Sequence, residues 1–529
     1  MEIIQDQTLG GMLAETVAKH PDRKAVCYQG QSWTYRQLNE LTDEVAKEML
    51  RRGISRGCHV GIWANDRPNT LFCFLALVEI GAVPVMLNTS WTEYECGERL
   101  IDTDVEYLFY DEGYREVDFC EAVATMEAPL LKDRIYIGVE ERNDVNKLET
   151  LWEKHCLEEE TYWNEQLNLA KAAVLPSDVD VILFTSGSTS APKGVLTTHF
   201  SRVNIAFAQA EAVRADCEDV FCVAIPMFHC FSLSGNVLAA LAVGACICFP
   251  ESRRTESIYR AIESAGCTIL TAVPTLYSAM LGNERREQYD ISTLRTGLVG
   301  GAGCSRELFL RSCEELGLEL IPSLGMTEAT AGVTAGSYED AREERIDHAG
   351  YLLEHLESRI VDIKTGIPLP EGADGELCVR GYNIMKGYYK QPELTAETID
   401  ADGFLHTGDM GYFDAKGRLY LTGRIKELII RGGENVSPAE LEQIIQQDER
   451  IAQVKVVGVP DAHYGEEICA CIVCCEGEQI AQEEVRTLVR GRLAAYKVPK
   501  YVVCMERFPL MGNGKIDTRK LKNQVLSYL

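Results

Sequence analysis

Hydrophobic residues recur along the chain with two periods. Behind Thr34, a candidate N-cap, Leu38, Leu41, Val45 and Met49 share one helical face. HVGIWAN (59–65) follows as a short strand, then a helix near 68–80 and a strand at VPVMLN. VDVILF (179–184), DVFCVAI (219–225), ACICF (245–249) and TILTAV (268–273) are nearly unbroken apolar runs of strand length. Runs of that kind between helical stretches fit strands buried on both faces of α/β layers, whose ligands gather beyond the C-terminal strand ends. The most membrane-like run, TLFCFLALVEIGAVPVML, carries Glu79, Gly81 and Pro84. A buried helix, a turn and a strand explain it better than a membrane span.

Past residue 350 the pattern shortens. SRIVDI and GELCVRG predict strands, and TGDMGYFDAKGRLYLTGR predicts hairpins ending at Arg424-Ile-Lys426. A strand (ELIIRG), a helix (PAELEQIIQQ), two strands (QVKVVGVP, EICACIVCC) and a helix (EEVRTLVRGRL) complete a compact α+β unit. The predicted fold is α/β: a large N-terminal domain of layered α/β subdomains with a β-rich subdomain (1–423), then a small α+β domain (424–529). A chain of 529 residues needs at least two cores.

Charge changes the picture in one respect. The net charge of −29 argues against a nucleic-acid or anionic-membrane partner. From Arg424 onward 15 basic residues balance 15 acidic ones, so the first 423 residues carry the whole deficit. Twenty cysteines are scattered through hydrophobic runs, without a basic and apolar leader at the N-terminus. Reduced, mostly buried thiols in a cytoplasmic protein are therefore expected. Cys469, Cys471, Cys474 and Cys475 alternate as a strand does, with no second Cys/His pair placed to complete a zinc site.

The candidate chemistry begins directly after the strand VDVILF, in LFTSGSTSAPKGVLTTH (183–199). Five hydroxyls, a glycine and a lysine suit phosphate oxygens. The loop is no P-loop of the G-x-x-x-x-G-K-[ST] kind, because Gly187 lies six residues before Lys193 and Pro192 occupies the second glycine's place. TSGSTSAPKG resembles the phosphate loop of the acyl-adenylate-forming superfamily, which includes acyl- and aryl-CoA synthetases, peptide-synthetase adenylation domains and firefly-type luciferases. GGAG (300–303), SLGMTEAT (323–330), GFLHTGDMGY (403–412), LTGRIKELIIRGGENVSPAELE (421–442) and NGKIDTRKL (513–521) continue the resemblance in order over most of the chain.

The resemblance implies a division of labour. Thr185, Ser186, Gly187, Ser188, Thr189 and Lys193 would hold the β- and γ-phosphates of ATP. Thr327 would contact the α-phosphate, and Glu328 would bind Mg²⁺, a hard cation that prefers oxygen. Gly301, Ala302 and Gly303 would line the adenine site. Asp409 would accept from the ribose hydroxyls with Arg424 assisting, and Lys515 would be the catalytic lysine. Two departures are Ser190, for the usual glycine, and Leu324, where many relatives place an aromatic against adenine.

In the resembled family the small C-terminal domain is mobile and turns between adenylation and thioester formation. Lys426 would be its pivot, and Gly432 and Gly433 would make room for a pantetheine arm. Coenzyme A is the expected thiol, with a carrier protein as the alternative; the expected partners are otherwise ATP and a small carboxylic acid, and the oligomeric state is left open. His229 would border the acyl channel, with Thr330, Ala331 and Gly332 leaving space beside it. No Asp, Glu, Lys or Arg occurs between Val220 and Pro250, so an uncharged tail is expected, fatty in preference to aryl. A catalytically degenerate nucleotide-binding protein is the contrasting class.

Overall fold

The structure is a computed structural model. It describes all residues except 1–3, 116, 141–144, 149–159, 186–191, 432–433, 462–463, 494 and 512–514. The chain divides into two compact units: residues 1–357 with 380–405, and residues 358–379 with 406–529.

In the first unit the helix behind Thr34 forms as its periodicity requires, over Tyr35–Arg51. Thr34 accepts from the Gln37 amide, and the Gln37 side chain accepts from the Thr34 amide in return, so two orphan donors are satisfied together. Strand His59–Trp63, helix Pro68–Glu79 and strand Val83–Met86 follow as a βαβ unit. The helix is buried on nearly every side, which is why its sequence lacks a polar face. No helix among the described residues is long and apolar enough to cross a membrane.

A seven-stranded sheet results. Its order is Gly387–Tyr388, Lys193–Thr198, Val179–Thr185, Val83–Met86, His59–Trp63, Tyr107–Tyr110, Asp133–Tyr136. From Val179–Thr185 outward through the last four strands the pairing is parallel, while Lys193–Thr198 and Gly387–Tyr388 add antiparallel edges. Two four-stranded sheets complete the layers. One holds Val220–Cys222 and Cys246–Cys248, shorter than the apolar runs suggested.

TILTAV differs from expectation. It forms no continuous strand; Ile269 makes single bridges to Phe221 and Thr296, and Ala272 one to Val299. The neighbouring strand comes so close that a Cβ on Gly297 would lie 1.8 Å from the Leu270 carbonyl oxygen. The segment is thus an extended seam between the two sheets.

The second unit contains most of a meander built from Glu357–Val361, Gly375–Arg380, Leu405–Phe413 and Leu419–Arg424. It also contains a five-stranded sheet centred on Gly465–Cys474, flanked by helices Pro438–Ile445, Gln482–Arg490 and Thr518–Leu526. Cys469 and Cys471 are core residues of that central strand, packed beside Val457, Phe508 and Leu521. The cysteines among the described residues are free thiols.

Candidate functional site

In the first unit the site grows from a hairpin. Thr185 ends one strand and Lys193 starts its antiparallel neighbour as its direct cross-strand partner. Ser186, Gly187, Ser188 and Thr189 lie outside the described residues. On the other side of Lys193–Thr198, Val195 pairs with Tyr388. The Lys193 ammonium lies 5.0 Å from the centre of the Tyr388 ring, and the Tyr388 hydroxyl donates to Glu328 Oε1 at 2.8 Å. One tyrosine therefore joins the candidate phosphate cation to the candidate metal carboxylate. Burial, reinforced by the Glu328 carboxylate, pushes the Tyr388 phenol well above its usual value, so it stays a donor at neutral pH.

Thr327 and Glu328 sit in a single 3₁₀ turn, Thr327–Ala329. Thr327 Oγ1 points at Cys230 Sγ, 3.5 Å away, next to His229. Immediately afterwards Thr330 and Ala331 both take positive φ, 52° and 83°, which is strained for residues with a Cβ. Four buried hydrogen bonds hold that shape. Thr330 donates to the Asn383 carbonyl, Ser234 to the Thr330 carbonyl, Gln209 to the Ala331 carbonyl and Asn383 to the Gly332 carbonyl. Gly325 is required here, since a Cβ would lie 2.0 Å from the Ala331 oxygen.

Behind this turn lies a closed charge network. Arg202 donates to Asp180, Ser234 and Thr197 at 2.9, 2.8 and 2.6 Å, and Thr197 donates to Asp180 at 2.6 Å. Both charged side chains are 0% exposed. The network ties the strand entering the phosphate loop to the strand leaving it, and to the segment Leu233–Leu238 that follows His229. Sequence reasoning missed Arg202, Asp180, Ser234 and Tyr388. Asp180, a carboxylate inside an apolar strand, was the available signal, because such a charge must find a partner.

Gly301, Ala302 and Gly303 form an exposed turn after strand Thr296–Gly300, with Gly301 at φ 79°. Leu324 ends the adjacent parallel strand Glu319–Leu324. His229 is half-buried, its ring 4.6 Å from that of Phe228.

In the second unit Asp409 and Arg424 are cross-strand partners, joined from Arg424 Nε to Asp409 Oδ1 at 2.5 Å. Glu376 shapes the turn before Asp409: one oxygen accepts from the Gly408 amide at 3.1 Å and the other meets His406 Nδ1 at 2.8 Å. Gly408 has φ 71°, a conformation its missing Cβ permits. Burial raises the Asp409 carboxyl above its ordinary value, against the lowering pull of Arg424 and, more weakly, Lys515. Lys515 follows undescribed residues, and its carbonyl accepts from the Met511 amide at 2.7 Å. Lys426 is exposed in the 3₁₀ turn Ile425–Glu427 that leaves the meander. Gly432 and Gly433 lie outside the described residues.

Residues 13–389 match the family model of the AMP-binding enzyme, and residues 440–515 that of the AMP-binding enzyme C-terminal domain. Among curated proteins the chain is 34% identical to a putative acyl-CoA synthetase, YngI, of Bacillus subtilis, over 98% of this chain and 97% of that one. It is 30% identical to a mitochondrial medium-chain acyl-CoA ligase of Danio rerio, over 98% and 89%. Among solved structures, ATP-bound MatB from Rhodopseudomonas palustris is similar with a TM-score of 0.84 and 25% identity, over 98% and 99%.

Proposed function

This chain belongs to the AMP-binding enzyme family and is an AMP-forming acyl-CoA ligase; within that activity we propose that it takes an apolar carboxylic acid, a fatty acid foremost. The acid's carboxylate oxygen attacks the α-phosphorus of ATP, forming the acyl-adenylate and expelling pyrophosphate. The thiol of coenzyme A then attacks the acyl carbon, giving the thioester, AMP and a proton. Little covalent help is needed from the protein; positioning and charge neutralisation do most of the work.

The observation that carries this reading is the Lys193–Tyr388–Glu328 line, a cation and a carboxylate brought to one tyrosine. Lys193 and the hydroxyls from Thr185 to Thr189, around Gly187, take the outer phosphates, and Thr327 the α-phosphate. Glu328 suits Mg²⁺, being an oxygen ligand oriented by Tyr388; the ion when bound neutralises phosphate charge. Gly301, Ala302, Gly303 and Leu324 border adenine, and Asp409 with Arg424 takes the ribose. Lys515 offsets charge between carboxylate and α-phosphate. Lys426 is the pivot of a small domain 424–529, and Gly432 and Gly433 admit the thiol arm. His229 borders an acyl channel, and the uncharged, buried segment after it favours an apolar tail. A cytoplasmic location belongs to this proposal.

A panel of carboxylic acids with ATP and coenzyme A, read as pyrophosphate and AMP release, tests it. Fatty acids are expected to give the highest kcat/KM; preference for aryl acids would overturn the substrate class. Pyrophosphate exchange without any turnover of coenzyme A would point to a carrier protein, and no adenylation with any acid to a degenerate nucleotide binder. Lys426→Pro should spare exchange and slow thioester formation; equal loss in both would rule out the pivot.

A further inference from the structure

In the second unit, three side chains of different chemistry converge on one face of the meander. Glu376 and Cys378 stand two apart on strand Gly375–Arg380, so both leave the same side of the sheet. His406 lies on the neighbouring strand, Leu405–Phe413, at a level fixed where the Thr407 hydroxyl donates to the Leu377 carbonyl at 2.7 Å. Its Nδ1 is 2.8 Å from Glu376 Oε2 and 3.5 Å from Cys378 Sγ. A sulfur, a nitrogen and an oxygen thus lie within 4.8 Å of one another. Among the described residues no other group of three such donors does so.

Both partners of His406 meet the same ring nitrogen. One proton on Nδ1 cannot serve a thiol and a carboxylate in line, whereas a cation placed among the three atoms takes a lone pair from each. The donor set selects the ion. Thiolate, imidazole and carboxylate are the ligands of Zn²⁺, while Mg²⁺ and Ca²⁺ favour oxygen throughout. Around a tetrahedral Zn²⁺ a sulfur and a nitrogen stand about 3.5 Å apart, which is the Cys378–His406 distance. Glu376 needs to swing out by about half an ångström, to the roughly 3.3 Å that separates oxygen and nitrogen ligands. Cys378 is buried, the Glu376 side chain is 12% exposed and that of His406 29%. The imidazole edge is therefore the side from which the ion and a fourth, water ligand enter. Binding expels the thiol proton to solvent.

The place of the cluster gives it a consequence. The other Glu376 oxygen accepts from the Gly408 amide at 3.1 Å, and the Asp409 amide donates to Thr407 Oγ1 at 3.1 Å. The turn that presents Asp409 thus depends on this carboxylate and on the residue beside His406. An ion that repositions Glu376 and His406 shifts that turn.

We propose that Glu376, Cys378 and His406 bind Zn²⁺, and that the bound ion weakens ATP binding through the Gly408–Asp409 turn. The second half rests on Asp409 as the ribose acceptor; the first half does not.

Co²⁺, a coloured stand-in for Zn²⁺, tests the site without any substrate. One equivalent added to the whole chain should give thiolate-to-metal charge-transfer absorption and the visible bands of tetrahedral coordination, and Zn²⁺ should bleach both. Cys378→Ser should abolish the charge-transfer band. His406→Gln, at the exposed edge, should lower Zn²⁺ affinity in a competition titration by about 100-fold or more. An unchanged spectrum in the variants, or none in the wild type, would overturn the site; should Cys378→Ser fail to fold, His406→Gln alone decides. In ATP–pyrophosphate exchange, Zn²⁺ should raise the KM for ATP about fivefold or more in the wild type and leave that of His406→Gln unmoved. An equal rise in the variant, or a normal spectrum with no rise in the wild type, would reject the coupling to Asp409. If no acid supports exchange, the activity reading has failed, and the Co²⁺ spectrum still decides the site.

Discussion

Two ion pairs, one in each unit, show how differently a carboxylate can be used. Asp180 with Arg202 is sealed: both side chains are 0% exposed, and Thr197 and Ser234 take up further hydrogen-bonding capacity. Asp409 with Arg424 is open: the carboxylate is buried, but the arginine is 54% exposed. A sealed pair repays its desolvation only by being fully satisfied, so it acts as scaffold. An open pair keeps lone pairs and N–H groups for a ligand. Exposure of the cation, more than burial of the acid, separates the two pairs, and the proposed ribose role of Asp409 and Arg424 draws on that difference.

The comparison can be broken most forcefully at Arg202. Arg202→Met strands Asp180 in an apolar interior and should cost about 3–5 kcal/mol, seen as a large fall in Tm or loss of folded protein. A small effect would mean that water reaches the pair and that it is not sealed.

Lys515 tests the catalytic role proposed in the second unit. Lys515→Ala should slow ATP–pyrophosphate exchange by about 100-fold or more while a supplied acyl-adenylate still reacts with coenzyme A. Equal loss of both half-reactions in a folded variant would assign Lys515 no step-specific role.

Glu79 is an intermediate case. It is buried in helix Pro68–Glu79, and its partner Lys171, 2.9 Å away, is only partly covered. Burial pushes its carboxyl up to about 7, against the lowering pull of Lys171. The folded state therefore keeps this proton to a higher pH than the unfolded chain, where a glutamate titrates near about 4.3. Its contribution to stability is fully present below that value and is lost as pH rises through about 7. Tm should fall between pH 5 and pH 8, and Glu79→Gln should flatten that slope by about 1–3 kcal/mol. An unchanged slope would show that Lys171 compensates it fully.

The smallest effect is expected at Arg424. Arg424→Ala should raise the KM for ATP about tenfold with little change in Tm. The same variant removes the cation that opposes burial at Asp409, so the carboxyl should move further up. Its KM for ATP should then climb more steeply on acidification than that of the wild type, because a protonated Asp409 loses an acceptor for ribose. Parallel pH profiles would break the proposed ribose role.

Much of this was readable in one dimension. Local rules place the helix behind Thr34, the strands on either side of helix Pro68–Glu79 and the hairpin ending at Arg424, because caps, turns and apolar periods act within a few residues. The motif blocks containing Lys193, Thr327, Glu328 and Asp409 were likewise legible, since each is contiguous. TILTAV was read wrongly for a physical reason: an apolar run signals burial, not a full ladder of hydrogen bonds, and Gly297 brings a neighbouring backbone too close for a side chain.

What only the tertiary structure decided are the partnerships between distant residues. Tyr388 meets Glu328 across 60 positions, Arg202 finds Ser234 across 32, and Arg253 joins Tyr114 on a ring that no local pattern foretells. Periodicity constrains which face a residue takes; it carries no information about which strand edge or helix will lie opposite. That pairing is set when the whole core closes, because only then does each buried charge or strained turn acquire the specific groups that satisfy it.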